Sequence, residues 1–222
     1  MKHVINSIIN LYIDSIMKKM SATEEKSFIE SGQSDQLFDY IVLNQLHGVN
    51  VPKFFELATA PTVKYYLRHY ALSQDNEIEL LKTQNLSYLE VYFEMYPLSL
   101  KGIEVMFELK NPNIVGEYIR YHELPQDYET MLFTPGFEKQ AMFYVSHNLL
   151  YSTSEVPMMN FGGAKMVERY IEHNDLHQEA ELLLFSPQFE GLVNKYLRKW
   201  CFSPVARKRY DEWIASFSNE ED

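Results

Sequence analysis

Tyrosine recurs through this chain at a fixed interval. Of the 16 tyrosines, seven stand 26 residues apart with no insertion between them: Tyr40, Tyr66, Tyr92, Tyr118, Tyr144, Tyr170 and Tyr196. Self-similarity at a period of this length is typical of proteins assembled from one repeated supersecondary unit. The series therefore predicts tandem copies of a short unit, and every other feature of the sequence has to fit that arrangement.

Apolar residues repeat in register with the tyrosines. The residue after each tyrosine and the residue three before it are apolar in every copy, as with Ile119 and Val115 around Tyr118. Offsets of −3, 0 and +1 fall on one stripe of a helix, because residues three and four apart share a helical face. Each tyrosine is therefore predicted to lie on an amphipathic helix, with its ring packed between repeats and its hydroxyl reaching backbone or solvent.

A second, shorter helix is predicted ahead of each tyrosine helix. An apolar pair stands eleven and twelve residues before every tyrosine, and turn-forming residues separate the pair from the tyrosine segment. The separating residues are Ser31-Gly32, Pro61, Asn85, Asn111-Pro112, Pro135-Gly136, Gly162-Gly163 and Ser186-Pro187. Each copy is thus predicted to be a helical hairpin.

Helix ends carry their own signals. Capping boxes are predicted at Ser21/Glu24 and Ser152/Glu155, and Ser203-Pro204 is predicted to start the last helix. Asparagines four residues after some of the tyrosines, such as Asn44, are expected to end the second helices in the left-handed conformation.

These hairpins cannot bury their apolar stripes alone, so they are expected to stack. The predicted fold is all-α, an α-α superhelix (solenoid) of about seven 26-residue hairpin repeats with capping helices at both ends. The chain is divided into an N-terminal cap (1–22), the repeats (23–203), and a C-terminal cap helix with an acidic tail (204–222).

The pattern resembles the short two-helix α-solenoid repeat proteins, a group that includes HEAT and armadillo repeats and the leucine-rich repeat variant. The resemblance covers nearly the whole chain as architecture. It implies an extended surface that holds a macromolecular partner.

The composition of the chain limits its expected binding partners and cellular compartment. The net charge of −11 argues against binding to nucleic acid or anionic membrane over the whole surface. The single cysteine, Cys201, suits a reducing compartment, and it is expected to be a small core residue. The N-terminal 20 residues lack the apolar core of a signal peptide, and no apolar stretch is long enough to span a bilayer. A cytoplasmic protein without membrane contact is expected.

No catalytic motif is present. The sequence has no phosphate-binding glycine loop, nucleophile elbow, paired Cys-x-x-Cys or His-Glu-x-x-His, so no enzyme, cofactor or metal is predicted. His173 and His177 are four apart but span a predicted helix end, which disfavours a shared metal ion. Recurring glutamates early in the first helices are interpreted as solvated caps that interact with the helix dipole. They are Glu77, Glu129, Glu155 and Glu181.

One segment departs from the acidic character of the chain. Residues 191–210 contain six basic residues and no acidic one: Lys195, Arg198, Lys199, Arg207, Lys208 and Arg209. Tyr196, Trp200 and Tyr210 are interleaved with them, so this basic patch is a candidate site for anionic ligands or single-stranded nucleic acid. Two other interpretations stay open, a solvated helix end and a head-to-tail contact with the acidic body of another copy.

The sequence favours a non-enzymatic protein-protein interaction scaffold, because repetition generates a long surface and no catalytic constellation accompanies it. The alternative is binding of nucleic acid or a phosphate ligand through the basic patch between residues 195 and 209. The partner's identity, the face that binds it and the oligomeric state stay open.

Overall fold

The computed structural model describes residues 18–218, with the side chains of the last two left out. Within this range the chain folds into fourteen α-helices and two 3-10 turns, with no strand. The all-α, solenoid-like class predicted from the repeat is confirmed. The predicted N-terminal cap lies almost entirely outside the described residues. The chain divides into two compact units, Met1–His122 and Glu123–Asp222.

The first unit is built from two layers of short helices. Its described helices are α1 (Ala22–Glu30), α2 (Ser34–Leu43), α3 (Val51–Leu57), α4 (Ala60–His69), α5 (Gln74–Lys82), α6 (Leu86–Met95), α7 (Leu100–Glu108) and α8 (Pro112–Tyr118). Odd-numbered helices pack on the next odd-numbered helix, and even-numbered helices on the next even-numbered one. The first helices of successive hairpins thus form one layer and the second helices the other, as in a stack of repeats.

The second unit repeats this arrangement with shorter first helices. Its described helices are α9 (Gln126–Glu129), α10 (Glu138–Val145), α11 (Ser152–Ile171), α12 (Gln178–Leu183), α13 (Glu190–Leu197) and α14 (Pro204–Ser218). Helix α11 contains both arms of one hairpin, because Gly163 adopts φ 59° and ψ −163° and breaks the helical path between them. Only glycine adopts this conformation readily, and the break falls at the predicted Gly162-Gly163 turn.

The tyrosine series forms the centre of the core. All seven tyrosines lie on second helices, and each side chain is at most 2% exposed. Their apolar neighbours at −3 and +1 are buried with them, for example Val63 and Leu67 around Tyr66. The interpretation of the tyrosines as rings packed between repeats is confirmed.

Two of the predicted helix ends are found, and two are wrong. The capping box at Ser21 and Glu24 is present, and α14 begins at Pro204. The box predicted at Ser152 is wrong, because the N-cap is Tyr151 and Glu155 turns inward. The predicted left-handed conformation of Asn44 is also wrong: Asn44 is extended, and its amide donates to the Tyr40 carbonyl at 3.2 Å.

Among residues 18–218, no helix combines the length and apolar character that crossing a bilayer requires.

Candidate functional site

A buried polar network joins consecutive repeats inside each unit. Five glutamates in register on the first helices are at most 5% exposed: Glu25, Glu77, Glu129, Glu155 and Glu181. The prediction that the last four are solvated caps is therefore wrong. A buried carboxylate is costly unless hydrogen-bond donors surround it, so their partners define the network.

Four of the five glutamates accept a hydrogen bond from the tyrosine fifteen residues later. The hydroxyl of Tyr92 donates to Glu77 at 3.0 Å, that of Tyr170 to Glu155 at 3.2 Å, and that of Tyr196 to Glu181 at 3.0 Å. Tyr40 contacts Glu25 in the same way at 3.2 Å. In each pair the hydroxyl links the two helices of one hairpin.

The same carboxylates also reach the next repeat. Glu155 accepts a 2.7 Å hydrogen bond from the backbone N–H of His177, the N-cap residue of α12. Four other N-cap or helix-start residues 22 positions after a buried glutamate donate likewise: His47, Ser99, Tyr151 and Ser203. We call each set of glutamate, tyrosine and N-cap N–H a carboxylate node. A node joins three helices from two successive repeats.

The residue 25 positions after each node glutamate lies at the carboxylate, and it is either a hydrogen-bond donor or a small residue. At the Glu25 node, Asn50 donates a 2.8 Å hydrogen bond to Oε1. At the Glu77 node this position is Gly102, whose missing Cβ would lie 3.1 Å from a carboxylate oxygen. Serine or alanine stands there in the remaining nodes. Short side chains therefore leave room for the buried carboxylate.

Burial shifts the acid-base properties of the nodes. Burial raises the pKa of Glu129 and of Glu155 above the ordinary value of 4.5. It also raises the pKa of Tyr40 to about 12, so this hydroxyl keeps its proton and remains a donor. Oε1 of Glu129 and Oγ of Ser154 are fully buried without a hydrogen-bond partner among the described residues. The Glu129 node is thus the least well satisfied.

Two registers of the first unit lack the carboxylate. Val51 and Ile103 occupy the glutamate position, and both are 1% exposed. The corresponding tyrosines, Tyr66 and Tyr118, keep the backbone contact that the node tyrosines also make, here with Leu46 and Leu98, but have no glutamate fifteen residues earlier.

An exposed row of side chains follows the second helices of the first unit. It occupies the position three residues after each core tyrosine, and its members are Leu43, His69, Met95 and Tyr121. Leu43 is 57% exposed, Met95 49% and Tyr121 42%. We call this row the outer stripe. The ring of Tyr65 flanks it, stacked on His69 with centroids 4.1 Å apart.

The structure distributes the basic patch over two helices of the second unit. Lys195 is in α13, Arg198 and Lys199 follow directly, and Arg207 to Arg209 lie in α14. All six are exposed. The patch is therefore not one helical face.

Several of these cations already have partners. Lys195 pairs with Glu168, and Lys199 donates to the Glu172 carbonyl at 2.6 Å. Arg207 pairs with Asp211 at 3.3 Å, and Arg209 with Glu212 at 3.4 Å. Arg198 and Lys208 form no ion pair with any residue between 18 and 218. Surface ion pairs of this kind contribute little stabilising energy, so they lower the local positive charge but leave these side chains able to bind an anionic ligand.

The structure also shows the positions of Cys201 and of the histidine pair His173 and His177. Cys201 is exposed, so its prediction as a core residue is wrong. His177 caps α12 and lies 3.0 Å from Glu155 through Nδ1, whereas His173 belongs to the turn that ends α11. Within the described residues, no group of three His, Cys, Asp or Glu side chains is arranged to hold a metal ion.

No family model, curated protein or solved structure shows a significant match to this chain. Its functional interpretation therefore depends on its own residues and their geometry.

Proposed function

We propose that this protein is a non-enzymatic scaffold that binds another protein through the outer stripe of its first unit. The observation that carries the proposal is the exposure of Leu43, Met95 and Tyr121 at one repeated position, three residues after a core tyrosine and at or just beyond the end of its second helix. Its resemblance to HEAT- and armadillo-like solenoids and its single cysteine support a cytoplasmic scaffold of the same general kind.

The chemistry of the stripe favours a protein partner. Exposed apolar side chains that form a contiguous row mark interaction surfaces more often than isolated ones do. Neighbouring helices are about 10 Å apart, so a partner lying across the layer meets an exposed apolar side chain in three of the four repeats and His69 in the other. Tyrosine and methionine are enriched at protein interfaces, because each supplies a large contact area with few polar atoms that must be removed from water.

The experiment compares two triple variants that remove similar apolar area from different faces. The stripe variant is L43S/M95S/Y121S, and the control variant is L57S/L86S/L100S, whose exposed positions lie outside the outer stripe. Each immobilised protein is incubated with nuclease-treated lysate of the source organism, and the bound proteins are identified. The proposal expects a set of proteins that the wild type and control retain and the stripe variant loses at unchanged melting temperature. Identical sets on all three proteins would contradict it.

A second candidate function is binding of nucleic acid or a phosphate ligand through the basic patch. The supporting observation is that Arg198 and Lys208 are exposed without an ion-pair partner among the described residues, while Arg207 lies 5.3 Å above the Tyr210 ring. Its test is the affinity for a fluorescent single-stranded RNA at two salt concentrations, for the wild type and R198E/K208E. Salt-sensitive binding that the variant loses would favour this function over the scaffold.

A further inference from the structure

The register of Val51 keeps the donors of a carboxylate node but lacks the carboxylate. In the Glu25 node, Oε1 accepts 2.8 Å hydrogen bonds from the His47 N–H and from the Asn50 amide. The residues 26 positions later are Ser73 and Asn76, which carry the same two donor groups. Val51 stands where the glutamate would be, so this donor pair has no acceptor from the preceding repeat.

The Asn76 side chain is buried without a partner. It is 6% exposed, and no described residue accepts or donates a hydrogen bond to its amide. Because no described protein group pairs with this amide, it is left to bind water or a ligand from outside the chain.

An open groove leads to this amide. Its volume is about 750 Å³, and Gly48, Val49, Pro52, Ser73 and Asn76 are among its lining residues. Gly48 leaves the amide accessible, because a Cβ at that position would lie 3.3 Å from Nδ2 of Asn76.

The groove also reaches the start of α5, a helix of nine residues. Its N-cap Ser73 makes no side-chain capping hydrogen bond, and the first N–H groups of any helix lack an intrahelical acceptor. These groups and the helix dipole favour a negatively charged oxygen at this end.

We propose that the groove at the start of α5 is a carboxylate-binding subsite, in which Asn76 and Ser73 hold the ligand as Asn50 and His47 hold Glu25. The subsite is distinct from the outer stripe and goes beyond the proposed scaffold function. The carboxylate belongs either to a peptide terminus or to a small organic acid. Asp75 also lines the groove and opposes an anion, whereas Glu79 is paired with Lys82 at 2.8 Å.

The test is a titration of the ¹⁵N-labelled full-length protein with sodium acetate, with sodium chloride at matched ionic strength as reference. The readouts are the backbone amide signal of Ser73 and the side-chain amide signals of Asn76. Saturable shifts of both with acetate, and not with chloride, are expected. N76A should abolish the Ser73 shift, while Q74A, a change at an exposed neighbouring position, should retain it.

A second variant supplies the carboxylate from within the chain. V51E places a glutamate in the node register, so it should already occupy both donors and reduce the acetate response at least about tenfold. D75N should strengthen acetate binding by roughly twofold, because it removes an exposed opposing charge. A pair of tripeptides, one with a free C-terminus and one amidated, identifies the source. Tighter binding of the free form than of acetate assigns a peptide terminus, and equal binding assigns a small acid.

Two results would overturn the proposal: no acetate-specific shift at Ser73 and Asn76 in the wild type, or the same shift in V51E as in the wild type.

Discussion

The hydroxyl of Tyr170 donates a 3.2 Å hydrogen bond to Oε1 of Glu155, fifteen residues earlier in the chain. The same hydroxyl accepts a 3.2 Å hydrogen bond from the Leu150 N–H, so it has partners on both sides. Because Glu155 also accepts from the next repeat through His177, one buried pair connects the two helices of a hairpin and the hairpin that follows. The tyrosine series is therefore both a hydrophobic core and part of a polar network.

Removing this hydroxyl should cost more than removing one that faces no carboxylate. Y170F leaves Glu155 and the Leu150 N–H each short of a partner, and we expect the free energy of unfolding to fall by about 2 kcal/mol. Y118F is the matched control, since Ile103 replaces the glutamate there, and we expect a loss below about 1 kcal/mol. Urea unfolding of both variants measures the difference. Equal losses would show that the carboxylate contributes nothing.

Truncating the whole side chain tests the core itself. Y118A should lower the free energy of unfolding by roughly 3–5 kcal/mol, as other large-to-small changes in packed cores do. An unchanged melting temperature would contradict the buried position of Tyr118.

Glu129 should make stability depend on pH with a definite sign. Burial raises the pKa of Glu129 in the folded protein, and the charge of Glu123 raises it further, against lowering by nearby donors that include the Tyr151 N–H at 2.9 Å. A raised folded pKa means that the folded state holds the proton more tightly than the unfolded state. This stabilisation is complete below the unfolded value near 4.5 and is lost as the pH rises through the folded value.

The measurement is the difference in unfolding free energy between E129Q and the wild type at pH 4.5 and pH 7.5. Glutamine has no charge to desolvate, so E129Q should become more stable relative to the wild type at the higher pH. E138Q is the control, because Glu138 is an exposed glutamate whose pKa is lowered by backbone N–H groups. An E129Q difference that is constant with pH would contradict the prediction.

Lys110 is held in a conformation that glycine adopts more easily. Its φ is 49°, and Gly136, at the same register one repeat later, also has a positive φ of 101°. K110G should raise the free energy of unfolding by about 0.5–1 kcal/mol, because relief of the left-handed strain exceeds the added unfolded-state entropy. The reciprocal change G136A should lower it. A melting temperature that falls in K110G would contradict this balance.

The sequence predicted the hairpins and the core because both depend on apolar periodicity, which is visible without coordinates. Tyr66 and Val63 are buried as their offsets require. The buried glutamates were missed because an acidic residue early in a helix is ordinarily a solvated cap. A partial signal was present: wherever the first helix carries glutamate at this register, the residue 25 positions later is small or is Asn50, whereas Tyr128 follows Ile103 at that spacing. Asn76 follows Val51, so this spacing does not separate all the registers.

Surface properties were harder to predict. Cys201 has apolar neighbours in sequence, but the turn between α13 and α14 exposes it. In the sequence, the basic patch is a run of positive charges with no acidic residue among them. Its charges pair with residues from other parts of the chain, such as Glu168 with Lys195, or just beyond the run, such as Asp211 with Arg207. Composition along the chain does not reveal either arrangement.

The carboxylate node is the central claim, and the unfolding free energies of V51E and V63E at pH 7 test it most directly. Both valines are at most 1% exposed, but only Val51 lies in the node register, with Ser73, Asn76 and Tyr66 placed as donors. An unpaired buried carboxylate at position 63 should lower the unfolding free energy by at least about 4 kcal/mol. At position 51 the loss should stay below about 2 kcal/mol, because the donors are already in place. Equal, large losses in the two variants would contradict the account.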